Sequence, residues 1–319
     1  MIRVAQVTTH APERCGLATY VEALMRHTTD PEIEYRVIGR PFDGPSVISR
    51  VGDADIVHVH HVWALFGGFD QGTVRQLQNM GKKVIVTFNE STHHNASDFT
   101  NVFNRVIVHH DGTTDGFTHI PHGVWNIPLP PYLGAGAGFI GTAGFPIFFK
   151  NDLIVAKVAK ELGMRVMAFL PESPHGDALG TKMAMLNVDP ASIITTDYLP
   201  TEVIVRQLSQ CEFTLFAHTH AGGGISGSVR FGLAARRPTI ITKTGRTSDL
   251  DKYYQDEVYF IDGNPTIDSA IEMARRVKFD IAQGTEKIPS RCVEEMSWQN
   301  TAQQYCKVYR EVMGVPVQV

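Results

Sequence analysis

Phosphate chemistry is most legible in residues 221–238, which read AGGGISGSVRFGLAARRP. Gly222, Gly223 and Gly224 free the backbone. Ser226, Gly227 and Ser228 then lead into a helical pattern marked by Val229, Leu233 and Ala234. Free backbone N–H groups, hydroxyl caps and the positive end of a helix dipole in one place make a seat for phosphate. Arg230, in the first turn, would add a bidentate cation. The apolar runs 212–217 and 239–242 read as buried strands on either side. The loop therefore falls at the carboxyl ends of sheet strands, where α/β folds bind ligands. A glycine-eased turn without a ligand is the plainer alternative.

The chain has 14 histidines, grouped at His58-x-His60-His61, His93-His94, His109-His110 and His218-x-His220. Two rings at i and i+2 on a strand share a face and could grip a metal. No carboxylate or cysteine falls at matching spacing, so no metal site is expected. The better use of these residues is acid–base or positioning work near neutral pH. His60 and His61 end one strand pattern, His93 follows another, and His122 precedes a proline-rich break. Asn89 and Glu90 end the strand VIVTF, where Glu90 is either a general base, an acceptor ligand or a solvated loop carboxylate. His218 ends the strand before the glycine-rich loop and is placed for contact with the same ligand.

Elements must hold these residues in place. Apolar strand patterns at 2–8, 35–38, 55–60, 83–88, 105–108 and 117–120 alternate with helical ones such as 17–26 and 71–80. Such alternation implies a parallel, doubly wound sheet. A second series follows, with strands at 138–143, 165–169, 192–195, 212–217, 239–242 and 258–261. Its helices fall at 152–162, 181–186, 201–210, 228–235 and 267–279, and a long closing helix covers 297–313. Between the series, IPLPPYLGAGAG continues neither element. The organisation expected is a first Rossmann-like domain over 1–128, a linker over 129–137, a second domain over 138–296 and a terminal helix segment over 297–319. Gly136-Ala-Gly138-Phe-Ile-Gly141 matches a GxGxxG pattern, but it follows the linker and runs into a strand, so it is rejected as a dinucleotide site.

Bulk properties set the outer limits. The chain of 319 residues is 43% hydrophobic and 19% charged, as expected of a folded soluble protein with room for two cores. Apolar runs are strand-sized, so no transmembrane segment and no signal peptide are expected. Cys15, Cys211, Cys292 and Cys306 form no CxxC and suggest a reducing, cytoplasmic setting. A net charge of −4 gives no general nucleic-acid field.

Several segments, in this order and spacing, resemble a known family. They are APERCGLATY, ADIVHVHH, IPHGV, GTAGFPIFFKN, LPTEVIVRQLSQCEFTLFAH, FGLAARRPTIIT and SWQNTAQQYCKVYREVM. Together they resemble retaining GT-B glycosyltransferases, in particular the large family of sucrose-phosphate synthases and bacterial mannosyl- and glucosyltransferases. That resemblance implies two Rossmann-like domains facing a cleft, with the closing helix crossing back to the first. It also implies a sugar nucleotide held mostly by the second half. Lys150 would hold the donor diphosphate, with Phe145 on the same loop, and Gly16 would mark the close approach of the first helix. Gly223, Gly224, Ser226, Gly227, Ser228 and Arg230 would complete the donor site. The sequence departs from the family at two glutamates usually separated by seven residues, where Gly223 and Phe231 stand, and Arg236 replaces a usual glycine.

The expected activity is transfer of a hexosyl or pentosyl group from a UDP- or GDP-sugar to an acceptor hydroxyl, with retention and without a metal or other cofactor. Lys150 and Arg230 are the expected catalytic cations. The acceptor is a cell-envelope glycan, a lipid-linked sugar or a modified nucleic-acid base, and a homo-oligomer is compatible with the chain. The rivals are a nucleotide-sugar epimerase or hydrolase, and a non-catalytic nucleotide-sugar-binding protein.

Overall fold

The computed structural model describes residues 1–319 apart from 11–12, 14, 63–65, 67–68, 90–100, 110–115, 133–137, 174–175, 220–224 and 317–319. The described chain divides into two compact units. One contains Met1–Gly123 and Trp298–Val319, and the other Val124–Ala221 and Ser226–Ser297. The terminal segment thus belongs to the first unit, and the change of unit falls ahead of the proline-rich stretch.

The first unit carries β1 (Ile2–Val7), β2 (Ile33–Ile38), β3 (Ile56–His61), β4 (Lys83–Phe88), β5 (Arg105–Val108) and β6 (Thr118–His119). All pairings are parallel, in the order β2-β1-β3-β4-β5-β6. Side chains alternate across a strand. Val57 and Val59 of β3 therefore join an apolar layer with Val47 of α2 (Gly44–Arg50) and Val74 and Leu77 of α3 (Gln71–Asn79). His58 and His60 point the other way, toward α1 (Gly16–His27) and the long C-terminal helix Trp298–Met313. Arg310 of that helix is moored by Asp30 at 2.8 and 3.0 Å and by Glu32 at 2.7 Å.

The second unit carries β7 (Phe139–Ala143), β8 (Arg165–Phe169), β9 (Ile193–Thr195), β10 (Phe213–Phe216), β11 (Thr239–Thr242) and β12 (Tyr259–Ile261). Its sheet, also parallel, runs β12-β11-β10-β7-β8-β9. Helices α4 (Asp152–Glu161), α5 (Ala178–Val188), α6 (Thr201–Leu208), α7 (Gly227–Ala234), α8 (Ser248–Tyr253) and α9 (Ile267–Gln283) connect the strands, and α10 (Arg291–Glu295) precedes the terminal helix, α11. Val155, Val158 and Val277 cover one face of the sheet, while Ile204, Leu208 and Ala235 cover the other. Helices on both faces of two parallel sheets give the doubly wound α/β architecture that the alternating patterns imply.

The order of the second sheet reverses between β7 and β10. Their carboxyl ends therefore diverge to opposite faces and leave a crevice, the topological switch point. Both segments leaving these strands carry residues that the sequence marks.

Candidate functional site

Beyond β7 the chain turns at Gly144, whose φ of 118° is open to glycine and closed to most side chains. A Cβ there would lie 2.6 Å from Lys150 Nζ and 2.9 Å from Ser228 Oγ. The glycine thus makes room for an ammonium and a hydroxyl that converge from different elements. Lys150 ends the 3-10 turn Phe148–Lys150, and Ser228 lies in the first turn of α7. The segment after β10 is tied to this turn, since Thr219 N donates to Phe149 O at 2.7 Å and Asn151 Nδ2 donates to Ala217 O at 3.0 Å. The two strand ends are held together by one backbone bond and one side-chain bond.

Lys150 is only 8% exposed, yet its ammonium makes no hydrogen bond or ion pair among the described residues. Burial lowers its pKa to about 8, opposed by the charge of Asp152 and reinforced by the cation of Arg246. A buried ammonium without a partner is costly. His218, two residues past β10, is in the same condition. Burial foremost, then Lys150 and Arg246, hold its ring neutral well below the ordinary histidine range, and its Nδ1 has no partner. Ser226 caps α7 with its backbone, while its Oγ lies 3.3 Å from Ser228 Oγ.

Arg246 is the member of the group that sequence reasoning missed. It sits in the turn Gly245–Thr247 after β11, its guanidinium 4.4 Å from the centre of the Phe149 ring. Its carbonyl accepts from Ser226 N at 3.3 Å. The signal was available in TKTGRT, a Thr-capped turn that puts a cation after the strand next to the switch point. Lys150, Arg246, neutral His218, two serine hydroxyls and the amino end of an eight-residue helix face one region, against the single carboxylate of Asp152 among the described residues. Such a set suits an oligoanion such as a diphosphate.

Arg230 requires a correction. It is completely buried and pairs with Asp249 of α8, which is 2% exposed. Val229, Arg230 and Leu233 of α7 are all buried, and Arg230 is held inside by Asp249. It anchors the helix that carries Ser226 and Ser228 and presents no charge at the surface. Phe145 is half-buried and stacks on Tyr198 at 6.4 Å. Phe231 stacks on Trp125 at 5.1 Å and 13°. Arg236 has a left-handed φ of 50°, a conformation that suits glycine better than a residue with a side chain.

The acceptor-side candidates lie within the first unit. His60 is fully buried and bonds Gln6 Oε1 through Nε2 at 2.6 Å. His61 packs on the other face of the sheet between Phe66 and Phe88. His122 is buried against Tyr20 and Trp298. None of the three rings is presented to solvent as an acceptor group would need. His58 has both ring nitrogens engaged, Nδ1 by Tyr309 Oη at 2.7 Å and Nε2 by Thr87 Oγ1 at 2.8 Å, which leaves none for a metal. Asn89 is partly buried, with His109 Nε2 3.3 Å from its Oδ1. Gly16 opens α1 in the open, with nothing within 4 Å of a Cβ placed on it. Glu90, His93, Gly223 and Gly224 lie outside the described residues.

No family model and no curated protein matches the sequence. Solved structures do match the fold. A glycosyltransferase from Rickettsia africae ESF-5 is 11% identical, with 98% of each chain covered and a TM-score of 0.72. The sucrose-phosphate synthase tll1590 from Thermosynechococcus elongatus is 10% identical at a TM-score of 0.77, covering 98% of this chain and all of that one. Anabaena Alr3699/HepE, solved in complex with UDP and glucose, is 8% identical at 0.73 over 98% of this chain and 100% of its own. Over nearly its whole length, the chain therefore has the two-Rossmann-domain α/β fold of GT-B glycosyltransferases.

Proposed function

We propose that this protein transfers a glycosyl group from a nucleoside diphosphate sugar, and that the second unit holds the donor diphosphate at Lys150, Arg246, His218, Ser226 and Ser228. The observation that carries the reading is the buried, unpartnered Lys150 beside Ser228 at the switch point. A protein that keeps such a charge out of water without a partner gains when an anion supplies one. Neighbouring folds add support, since HepE was solved with UDP and with UDP-glucose, and GtfA with UDP and GlcNAc. UDP-sugars are accordingly the first donors to test, ahead of GDP-sugars.

The chemistry follows from where charge develops. As the glycosidic C–O bond breaks, positive charge grows at the sugar carbon and negative charge at the departing diphosphate. Lys150, Arg246 and the amides of α7 would stabilise that oxyanion, and these cations supply the charge that a divalent ion would otherwise bring. His218, held neutral, would stay available for a hydrogen bond at neutral pH. The acceptor is a hydroxyl of a glycan or lipid-linked sugar, and retention follows the resemblance of the motifs.

The test is calorimetric titration with UDP, GDP, ADP, CMP and NAD, followed by turnover of the sugar donors of whichever base binds. Lys150→Ala is expected to lower turnover at least about a hundredfold. Failure of every diphosphate to bind, or wild-type turnover in this variant, refutes the reading.

A further inference from the structure

A separate cavity of about 220 Å³ opens beside the Lys150 turn, lined among others by Phe148, Asn151, Asp152, Leu153 and Thr181. Asp152 is 8% exposed, yet its carboxylate makes no hydrogen bond or ion pair among the described residues. It opens α4, and its carboxylate borders the cavity. A carboxylate so deeply buried, with the charge of Lys150 opposing the cost of burial but no donor bonded to it, gains from donors that enter the cavity. Asn151 spends its amide N–H on Ala217 O, which leaves its Oδ1 as an acceptor. Thr181 adds a hydroxyl. Phe148 is 85% exposed and gives the cavity an aromatic wall.

We propose that this cavity is a saccharide subsite distinct from the diphosphate seat, in which Asp152 and Asn151 accept hydrogen bonds from ring hydroxyls and Phe148 covers a C–H face. Three arguments select this ligand class. The polar groups are chiefly acceptors, so the ligand must be rich in donors. The ligand is neutral, because an ammonium would meet the repulsion of Lys150, which already acts on Asp152, and of Arg246 behind it. The ligand is also small, since pockets for drug-sized molecules run from about 300 to 1,000 Å³. The cavity holds one sugar ring, not a nucleotide. An apolar wall with a few convergent polar groups is the usual composition of such a site.

The proposal goes beyond the donor reading, so both are read in one sample. Saturation-transfer NMR with glucose, galactose, mannose and xylose measures sugar binding to the full chain. The UDP-induced shift in Tm measures the diphosphate seat. Phe148→Ala removes an exposed ring and leaves the fold intact. At least one sugar is expected to receive saturation, with its apparent Kd raised at least tenfold by Phe148→Ala and by Asp152→Asn. The UDP shift is expected to persist in Phe148→Ala. The proposal is overturned if none of the four sugars receives saturation, if Phe148→Ala leaves the signal unchanged, or if tetramethylammonium displaces the sugar at lower concentration than the sugar binds. Loss of UDP binding alone, with sugar binding intact, refutes the donor reading and leaves this one standing.

Discussion

Both units bury polar groups beside their parallel sheets, but one group in each differs in the partners it reaches. In the first unit a chain of hydrogen bonds links several of these groups, although His60 Nδ1 lies outside it. Gln6 Nε2 donates to Tyr309 Oη at 3.1 Å, His58 links Tyr309 to Thr87, and Thr87 continues to Tyr305 at 3.1 Å and thence to Tyr20 at 2.8 Å. In the second unit the Lys150 ammonium, His218 Nδ1 and the Asp152 carboxylate have no hydrogen-bond partner among the described residues. The residue types overlap, and what separates the Gln6–His58–Tyr309–Thr87–Tyr305–Tyr20 chain from the Lys150 group is its connected set of partners. A satisfied network specifies packing, whereas an unsatisfied one stores a preference for a ligand. By this criterion His58 of β3 belongs to the architecture, and the group at the ends of β7 and β10 is the one we propose for the ligand.

The contrast breaks if partnered groups prove dispensable for stability. The largest cost is expected from Asp249→Ala, which strands the buried Arg230 guanidinium. Removing one member of a buried pair costs about 3–5 kcal/mol, measurable by chemical denaturation. His58→Ala is next. It leaves the Tyr309 and Thr87 hydroxyls without their bridge and opens a cavity, at a cost of roughly 3 kcal/mol.

Acid sharpens the comparison further. Burial lowers His58 to about 3 and His60 well below its ordinary value, whereas unfolded imidazoles protonate near about 6.5. Below that pH the unfolded state binds more protons. Stability is therefore complete above about 6.5 and falls toward pH 3, by about 1.4 kcal/mol per pH unit for each histidine. Denaturation curves at pH 7 and pH 5 measure the slope, and His58→Ala should reduce it. The smallest effect is expected at Arg236, whose left-handed backbone suits glycine. Arg236→Gly should gain up to about 1 kcal/mol, less what is lost with its 2.9 Å bond to Asn126.

The fold was legible because each long apolar run is a buried parallel strand with its own period. The runs 83–88, 105–108, 165–169 and 239–242 coincide with β4, β5, β8 and β11. Helices α2, α8 and α10 were not legible, as none is longer than 7 residues and short helices show little periodicity. The proposed site was legible in part. Lys150 and Ser228 could be placed because the segments after β7 and β10 must meet at a switch point. The inward turn of Arg230 could not, because its partner Asp249 lies 19 residues away in another helix. For the same reason the role of His58 depends on Tyr309, 251 residues distant. Local pattern gives residue type and element, whereas partner completeness is a property of the assembled core.

The most direct test of the central claim compares the wild type with Lys150→Met by thermal denaturation, with and without saturating UDP. Unpartnered charge kept for a ligand predicts that the variant, free of nucleotide, melts no lower than the wild type, while its UDP-induced rise in Tm is lost. A variant that melts lower and still responds fully to UDP would make Lys150 a structural cation and contradict the account.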